Sequence, residues 1–140
     1  MIDGGAPFGG VPDFGDEVFY NGAVGPVTVN LTTGRATGQG IDTLVSLEDI
    51  TGSPFGDDLT GTVDQNFIYA GGGNDKVISK GDDSNTIAHD EVYGEDGDDY
   101  LNTVGGTGPH TVDTATGGNG TDSCLIDPND AADCENVSNP

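Results

Sequence analysis

Acidic side chains recur at a fixed interval through the middle of the chain. When the sequence is divided into units of nine residues, eight units carry Asp or Asn in sixth place and an apolar residue in eighth place. The sixth-place residues are Asp42, Asp57, Asn66, Asp75, Asp90, Asp99, Asp113 and Asp122. Three units are contiguous over 52–78. The other units keep the same pattern if the segments 46–51, 79–84 and 103–107 are treated as insertions between them. Such oxygens are ligands for hard divalent cations, so the phased pattern favours a metal-binding array over a solvated acidic surface.

The charge balance and composition limit the kinds of protein this can be. The chain of 140 residues has 25 acidic residues against three basic ones, a formal net charge of −22. This argues against nucleic acid and anionic membranes as partners, because both are bound through basic patches. Only 32% of the residues are hydrophobic and 25 are Gly, so a large conventional core is excluded. Some other contribution, such as bound cations, must offset the entropy of ordering the chain.

The spacing also predicts the elements that position these acids. A unit of nine divides into a turn of six residues and a strand of three, in which the middle, eighth-place side chain points inward. Two units then make one coil, so residues eighteen apart, such as Asp57 and Asp75, are expected on the same edge in adjacent coils. Adjacent strands lie roughly 4.8 Å apart, which leaves room for a cation between stacked turns. Glycines in the turns permit positive φ and let backbone carbonyls approach an ion.

The most regular turns are AGGGND (70–75), GEDGDD (94–99) and GGNGTD (117–122). With the apolar residue two places later, they resemble the G-G-x-G-x-D-x-U-x repeat of the RTX family, whose calcium-binding nonapeptides form parallel β-rolls. The resemblance implies an all-β fold, a right-handed parallel β-roll over 37–125 that holds several Ca²⁺ ions. It implies that the sixth-place residues are the acidic ligands and that carbonyl groups of the glycine turns complete each site. The glycines concerned are Gly71, Gly73, Gly97, Gly118 and Gly120.

The units do not all match the repeat equally well. The regular turns lead to Asp75, Asp99 and Asp122, which rank first as ligands. Turns that lack the glycine pattern precede Asp57, Asp90 and Asp113. Asn66 offers an amide oxygen but no charge, so a weaker or empty site is expected there. Because the insertions change the spacing, the sequence leaves the pairing of acids beyond residue 79 open.

The flanking segments are expected to close the two ends of the roll. Residues 1–36 are assigned to a linker and N-terminal capping strands, with the clearest strand at 27–31, and 126–140 to a C-terminal capping tail. Asp16 and Val18 have the spacing of the repeat, so 11–19 could be a degenerate first unit. Residues 46–51 are expected to form a bulge or a single helical turn beside the stack, or an ordinary loop. No segment has a sustained helical period, so no long helix is expected.

The two cysteines, Cys124 and Cys134, lie close together near the end of the sequence. They favour a disulfide and an oxidising, extracellular setting, with two reduced thiols as the alternative. No signal-peptide pattern and no membrane-spanning run are present in this sequence. We therefore expect a monomeric, secreted module beside a neighbouring domain of a larger exported protein, without membrane insertion.

No catalytic constellation stands out. His89 and His110 fall within repeat turns, and neither lies beside a plausible Ser or Cys nucleophile. The predicted function is therefore calcium binding that makes folding calcium-dependent, in a protein that is not an enzyme. The alternative is an adhesion or ligand-binding module for carbohydrate, ice or protein, with calcium only structural. The seventh-place residues form no regular file of Thr or aromatic side chains, which favours the first interpretation.

Overall fold

A computed structural model describes residues 1–4, 15–80, 89–105 and 112–140 of the chain. Within these ranges the protein is all-β, and its strands pair mostly in parallel in two sheets. The all-β class and the absence of a long helix, both predicted from the sequence, hold for this part of the chain. No described segment is a helix long and apolar enough to cross a membrane.

The strands fall into a nine-stranded and a six-stranded sheet. The nine-stranded sheet has the order β1-β5-β4-β3-β7-β9-β11-β13-β15, and the six-stranded sheet has the order β14-β12-β10-β8-β6-β2. Their bounds are β1 Ile2–Asp3, β2 Glu17–Phe19, β3 Thr28–Asn30, β4 Arg35–Thr37, β5 Ile41–Val45, β6 Asp49–Thr51, β7 Asp58–Thr60, β8 Phe67–Gly72, β9 Lys76–Ile78, β10 Glu91–Asp96, β11 Tyr100–Asn102, β12 Thr114–Asn119, β13 Ser123–Leu125, β14 Ala131–Asp133 and β15 Asn136–Ser138.

From β6 onward, successive strands alternate between the two sheets, and every pairing among them is parallel. In the strands that follow a repeat turn, the middle, eighth-place residue is buried because side chains alternate along a strand. These residues are Leu59, Ile68, Val77, Val92, Leu101, Ala115 and Cys124, each no more than 1% exposed. Inward residues of both sheets form one hydrophobic cluster. The prediction that the eighth place points inward is confirmed for these units.

The N-terminal strands depart from this parallel pattern. The strand predicted at 27–31 is present as β3, which pairs in parallel with β7 and antiparallel with β4. The unit predicted over 37–45 contributes β5, which pairs antiparallel with β4, so it does not stack on the later units. The 11–19 unit leads to β2, whose Val18 is buried, but residues 5–14 lie outside the described residues.

Two segments that the sequence analysis placed outside the nine-residue units contribute strands to the sheets. Residues 46–51 do not form a bulge or a helical turn: Asp49–Thr51 is strand β6, and Ile50 is fully buried in register with Val18 and Ile68. The tail over 126–140 contributes β14 and β15, one parallel strand to each sheet. β6 has one buried apolar residue, Ile50, whereas all three residues of β15 are exposed at the end of its sheet, and none of these strands follows a glycine turn of the repeat.

Candidate metal centre

The sixth-place residues are sorted onto two edges of the molecule by the alternation of the strands. We call one the glycine edge: its turns lead from the six-stranded to the nine-stranded sheet and end at Asp57, Asp75, Asp99 and Asp122. The other is the insertion edge, whose connections lead back to the six-stranded sheet and end at Asn66, Asp90 and Asp113. The insertions at 79–84 and 103–107 both fall on the insertion edge, which explains why the glycine edge stays regular.

A ladder of hydrogen bonds joins the acids along the glycine edge. The backbone N–H of Asp57 donates to Oδ1 of Asp75 at 2.6 Å. The N–H of Asp75 donates to Oδ1 of Asp99, and that of Asp99 to Oδ1 of Asp122, each at 2.8 Å. The predicted pairing of Asp57 with Asp75 is thus confirmed. Beyond the insertions the partners are 24 and 23 residues apart, which the sequence had left open.

Three of the four acids on this edge have a second carboxylate oxygen without a protein partner. Oδ2 of Asp75, Asp99 and Asp122 is buried and makes no hydrogen bond. Burial, together with the charges of Asp99 and Asp57, raises the pKa of Asp75 from 3.8 to about 7. Burial, together with the charge of Asp122, also raises the pKa of Asp99. An ionised carboxylate in this setting is costly unless a cation or a donor compensates it.

The glycine turns bring further oxygens to the same places. A Cβ on Gly94 would collide with Oδ2 of Asp99 and with the carbonyl oxygen of Gly117, and a Cβ on Gly117 would collide with Oδ2 of Asp122. The absence of a side chain at Gly94 therefore leaves room beside two oxygen atoms, and at Gly117 it leaves room beside the Asp122 carboxylate. The five glycines predicted to allow this approach all have positive φ: Gly71, Gly73, Gly97, Gly118 and Gly120.

Gly97 and Gly120 of that set also show how tightly successive turns stack. A Cβ on Gly97 would meet the carbonyl oxygen of Gly73, and one on Gly120 would meet that of Gly97. At the second place of the turn 94–99, where the turns before and after it have Gly71 and Gly118, Glu95 also has a positive φ, 72°, and pairs in register with both glycines. The turns therefore keep one backbone path even where glycine is replaced.

Asp57 lies on the glycine edge but differs from Asp75, Asp99 and Asp122 in its hydrogen-bond partners. The N–H of Ser53 donates to its Oδ2 at 2.5 Å, and the Ser53 hydroxyl donates to its Oδ1 at 2.7 Å. Oδ1 also accepts the N–H of Val27 at 2.8 Å. Both oxygens of Asp57 thus have protein donors, so the turn that lacks the glycine pattern supplies hydrogen bonds in place of open oxygens.

On the insertion edge, both polar atoms of the Asn66 side-chain amide have hydrogen-bond partners within the protein. Its Nδ2 donates to the carbonyl oxygen of Glu48 at 2.7 Å, to the hydroxyl of Thr62 at 3.0 Å and to the carbonyl oxygen of Gln65 at 3.1 Å. Its Oδ1 accepts the N–H of Thr62 at 2.8 Å. Three oxygens therefore surround an NH₂ group at this position.

The remaining acids of the insertion edge repeat the ladder. The N–H of Asn66 donates to Oδ1 of Asp90, and that of Asp90 to Oδ1 of Asp113, each at 2.8 Å. The residues just before Asp90 and Asp113, at 81–88 and 106–111, lie outside the described residues, and so does His110. Asp42 joins neither edge, because it lies half-buried in β5, opposite Ala36 of the antiparallel β4. The stacking expected for Asp42 from the repeat is therefore wrong.

Each ladder ends on an acid that the nine-residue frame did not include. Asp113 donates its N–H to Oδ1 of Asp130 at 3.1 Å, and Asp122 donates its N–H to Oε2 of Glu135 at 2.8 Å. That hydrogen bond lowers the pKa of Glu135, whereas burial raises the pKa of Asp130. Both acids stand two places before an apolar residue, Ala132 and Val137, and this spacing could have revealed them. The predicted disulfide between Cys124 and Cys134 is present, and it ties β13 to the segment that carries Glu135.

Among the described residues, no group of three or more His, Cys, Asp or Glu side chains gathers closely enough to hold a metal ion. An ion on the glycine edge would therefore need backbone carbonyl groups for most of its ligands. The open oxygens of Asp75, Asp99 and Asp122 and the carbonyl-lined glycine turns fit that requirement. Comparison of the sequence with protein-family models and with curated proteins returned no match.

Proposed function

We propose that this chain binds calcium along the glycine edge and that calcium binding drives its folding, as in an RTX-type module. The observation that carries the proposal is the row of buried Oδ2 atoms of Asp75, Asp99 and Asp122, which have no hydrogen-bond donor. Each belongs to a turn whose glycines leave space lined by other oxygens. A row of unsatisfied anionic oxygens beside neutral carbonyls is suited to a divalent cation.

Calcium fits this donor set better than other common ions. It takes six to eight oxygen ligands at about 2.3–2.6 Å in flexible geometry, so carbonyls and one or two carboxylates can serve it. Magnesium requires a stricter octahedron and keeps several waters. The described edge has no His side chain or free thiol for zinc or copper, since both cysteines are in the disulfide. Asp75, Asp99 and Asp122 would supply charge, and carbonyls of the turns that contain Gly73, Gly97 and Gly117 would complete the shell.

The role of calcium in folding follows from the charge of the chain. Carboxylates one strand spacing apart, roughly 5 Å, repel each other by about 3 kcal/mol per neighbouring pair at an effective dielectric constant near 20. This repulsion is added to that of the net charge of −22. An ion that binds only the folded chain removes the local repulsion and stabilises that state by mass action. We infer a chain that is expanded at low calcium and folded at high calcium.

The fold and setting complete the proposal. The alternation of short parallel strands between two sheets supports a right-handed parallel β-roll that begins at β6, with β3 to β5 as its N-terminal cap. The disulfide is in keeping with an oxidising, extracellular compartment. In this proposal the chain is a monomeric, secreted, non-enzymatic module, and its calcium-dependent folding stabilises a neighbouring domain of a larger exported protein.

The proposal is tested by titrating calcium into the chelator-treated chain, with the disulfide intact, and following far-UV circular dichroism. We expect a coil-like spectrum in chelator and a β-rich spectrum with calcium, with magnesium far less effective. Isothermal titration calorimetry on the same samples gives the number of ions bound. A β-rich spectrum in chelator that calcium leaves unchanged would overturn calcium-driven folding, and the absence of any heat of binding would overturn the site itself.

A further inference from the structure

The outer surface of the six-stranded sheet carries a row of side chains that the calcium proposal does not use. On each of its six strands, the residue that follows the inward residue lies in register with those of the neighbouring strands, so these residues point to the same side, away from the core. We call this row the aromatic file. In spatial order it consists of Phe19, Thr51, Tyr69, Tyr93, Thr116 and Asp133. Phe19 is 62% exposed and Tyr69 is 37% exposed, so large aromatic groups face solvent here.

The two tyrosines at the centre of the file form a stack. Their ring centroids are 4.9 Å apart and their planes differ by 5°. Because the stack runs from strand to strand, the rings stand on edge above the sheet rather than lying flat on it. Each ring covers one face of its neighbour and leaves its other face directed along the file, Tyr69 towards Thr51 and Tyr93 towards Thr116. Since threonine is small, each of these ring faces has an open space beside it.

Carboxylates border both spaces. Glu17, on the strand next to Thr51, accepts a hydrogen bond from the Thr51 hydroxyl. Asp133 is exposed and directly follows Thr116 in the file. Between the two spaces, Glu91 accepts the hydroxyl of Tyr93 at 2.6 Å. The six strands of this sheet contain no Lys and no Arg. Glu91 lies 3.4 Å from Nε2 of His89, which precedes its strand, and Glu17 and Asp133 have no Lys or Arg of their own sheet to pair with.

A planar cation matches a ring face with a carboxylate beside it. The guanidinium group of arginine stacks on aromatic rings and pairs with carboxylates in the same plane, whereas the ammonium of lysine is a compact point charge. A sugar ring usually needs an aromatic ring lying open to solvent, and the upright, mutually covered tyrosines do not offer one. The charge and the geometry therefore favour a cationic peptide over a saccharide.

The spacing of the two spaces sets the spacing of the cations. Thr51 and Thr116 are three strand steps apart in the file, which is roughly 14 Å. In an extended peptide, residues four apart lie on the same side and are about 13 Å from each other. We propose that the aromatic file binds an extended basic peptide segment, with two arginines four residues apart stacked on the outer faces of Tyr69 and Tyr93.

The experiment measures binding of a fluorescent peptide with the pattern Arg-x-x-x-Arg to the full chain in saturating calcium, where circular dichroism confirms that each variant is folded. Tyr69→Thr and Tyr93→Thr each remove one ring and keep a residue that favours strands. The matched control is Tyr100→Thr on the nine-stranded sheet, since Tyr100 is 38% exposed and Tyr69 37%. A peptide with Lys in place of Arg, and one with the arginines adjacent, test stacking and spacing.

We expect Tyr69→Thr and Tyr93→Thr to weaken binding of the Arg-x-x-x-Arg peptide by about tenfold each, and Tyr100→Thr to leave it unchanged. Both altered peptides should bind the unmodified chain more weakly. Equal affinity for all variants, or equal affinity for the Lys peptide, would show general attraction to an acidic surface and overturn the proposal. Tyrosine-dependent binding of a neutral oligosaccharide without peptide binding, or self-association through this sheet, would overturn it as well.

Discussion

The glycine edge and the insertion edge contain the same ladder of backbone N–H to side-chain oxygen hydrogen bonds, but Asn66 of the insertion edge differs from Asp75, Asp99 and Asp122 in its second side-chain atom. On the glycine edge, Oδ2 of Asp75, Asp99 and Asp122 is buried without a donor. On the insertion edge, the Nδ2 of Asn66 takes the place of such an oxygen and donates to three surrounding oxygens. The three buried oxygens of the glycine edge thus lack a donor that the proposed calcium ions would replace, whereas Asn66 supplies its own donor.

Asp57 gives the same comparison within one edge. It has the same place in its unit as Asp75, but Ser53 donates both its N–H and its hydroxyl to the carboxylate. In the calcium proposal, the donors in the turn of a repeat, and not the presence of an aspartate, therefore decide whether that repeat binds an ion. This comparison predicts where changes will alter calcium binding and where they will not.

The largest effect is expected from Asp99→Asn, which removes a charge from the centre of the glycine edge. We expect the calcium concentration at the midpoint of folding to rise by about tenfold or more, equivalent to about 1.4 kcal/mol or more, because an ion between stacked turns loses its acidic ligand. The measurement is a calcium titration followed by circular dichroism. The matched control is Asp58→Asn, which removes the same charge from a half-exposed residue paired with Lys76 at 3.6 Å. Equal shifts for both variants would show that net charge, and not the edge, sets calcium affinity.

A second test uses the raised pKa of Asp75, which is about 7 in the folded chain against a usual 3.8. The folded chain then holds this proton more tightly than the unfolded chain. Between those two pKa values the free energy of unfolding therefore rises as the pH falls. In chelator, lowering the pH from about 7.5 to about 5 should increase the β signal. In calcium, the same change should weaken ion binding because protons and the ion compete for the carboxylate.

The variant that isolates this carboxylate is Asp75→Asn, which cannot titrate there. Its β signal in chelator should depend less on pH than that of the unmodified chain. If the two chains respond identically between about pH 5 and 7.5, the acid effect comes from the net charge as a whole and Asp75 has no special part in it.

The smallest net effect on folding in saturating calcium is expected from Asn66→Asp, because an ion bound there would offset the lost donor, and this variant sharpens the comparison on the insertion edge. The change replaces the donating NH₂ by an anionic oxygen among the same three oxygens. Where no ion occupies this place we expect a loss of about 1–2 kcal/mol of stability, measured as a lower β signal at calcium concentrations near the folding midpoint. In calcium we expect one additional ion per chain by calorimetry. The neighbouring Gln65→Glu adds the same charge and should add no ion; an unchanged ion count in Asn66→Asp would contradict the interpretation of the edge.

Much of the local structure could be predicted from the sequence because it depends on contacts within a single unit. Turn glycines with positive φ, such as Gly73 and Gly97, and inward residues, such as Val77 and Leu101, follow from the preferences of nine consecutive residues. The disulfide was also predicted, from two cysteines near the end of the last repeat. The strand at Asp49–Thr51 was missed, because its unit lacks a glycine turn and its register is set by β2 and β8. The same holds for Asp130 and Glu135, which stack on the ladders from segments of unrelated spacing.

What the sequence determined by itself was therefore the unit: a turn that ends on an acid and a short strand with one buried residue. Only the tertiary structure decided which units stack, because parallel pairing joins residues 18, 23 or 24 positions apart according to the length of each insertion. It removed Asp42 from the stack through antiparallel pairing, and it separated Asp57 and Asn66 from Asp75, Asp99 and Asp122 by the donors around them. The physical reason is that the need for a cation depends on which neighbours satisfy a buried oxygen, and those neighbours come together only when the sheets form.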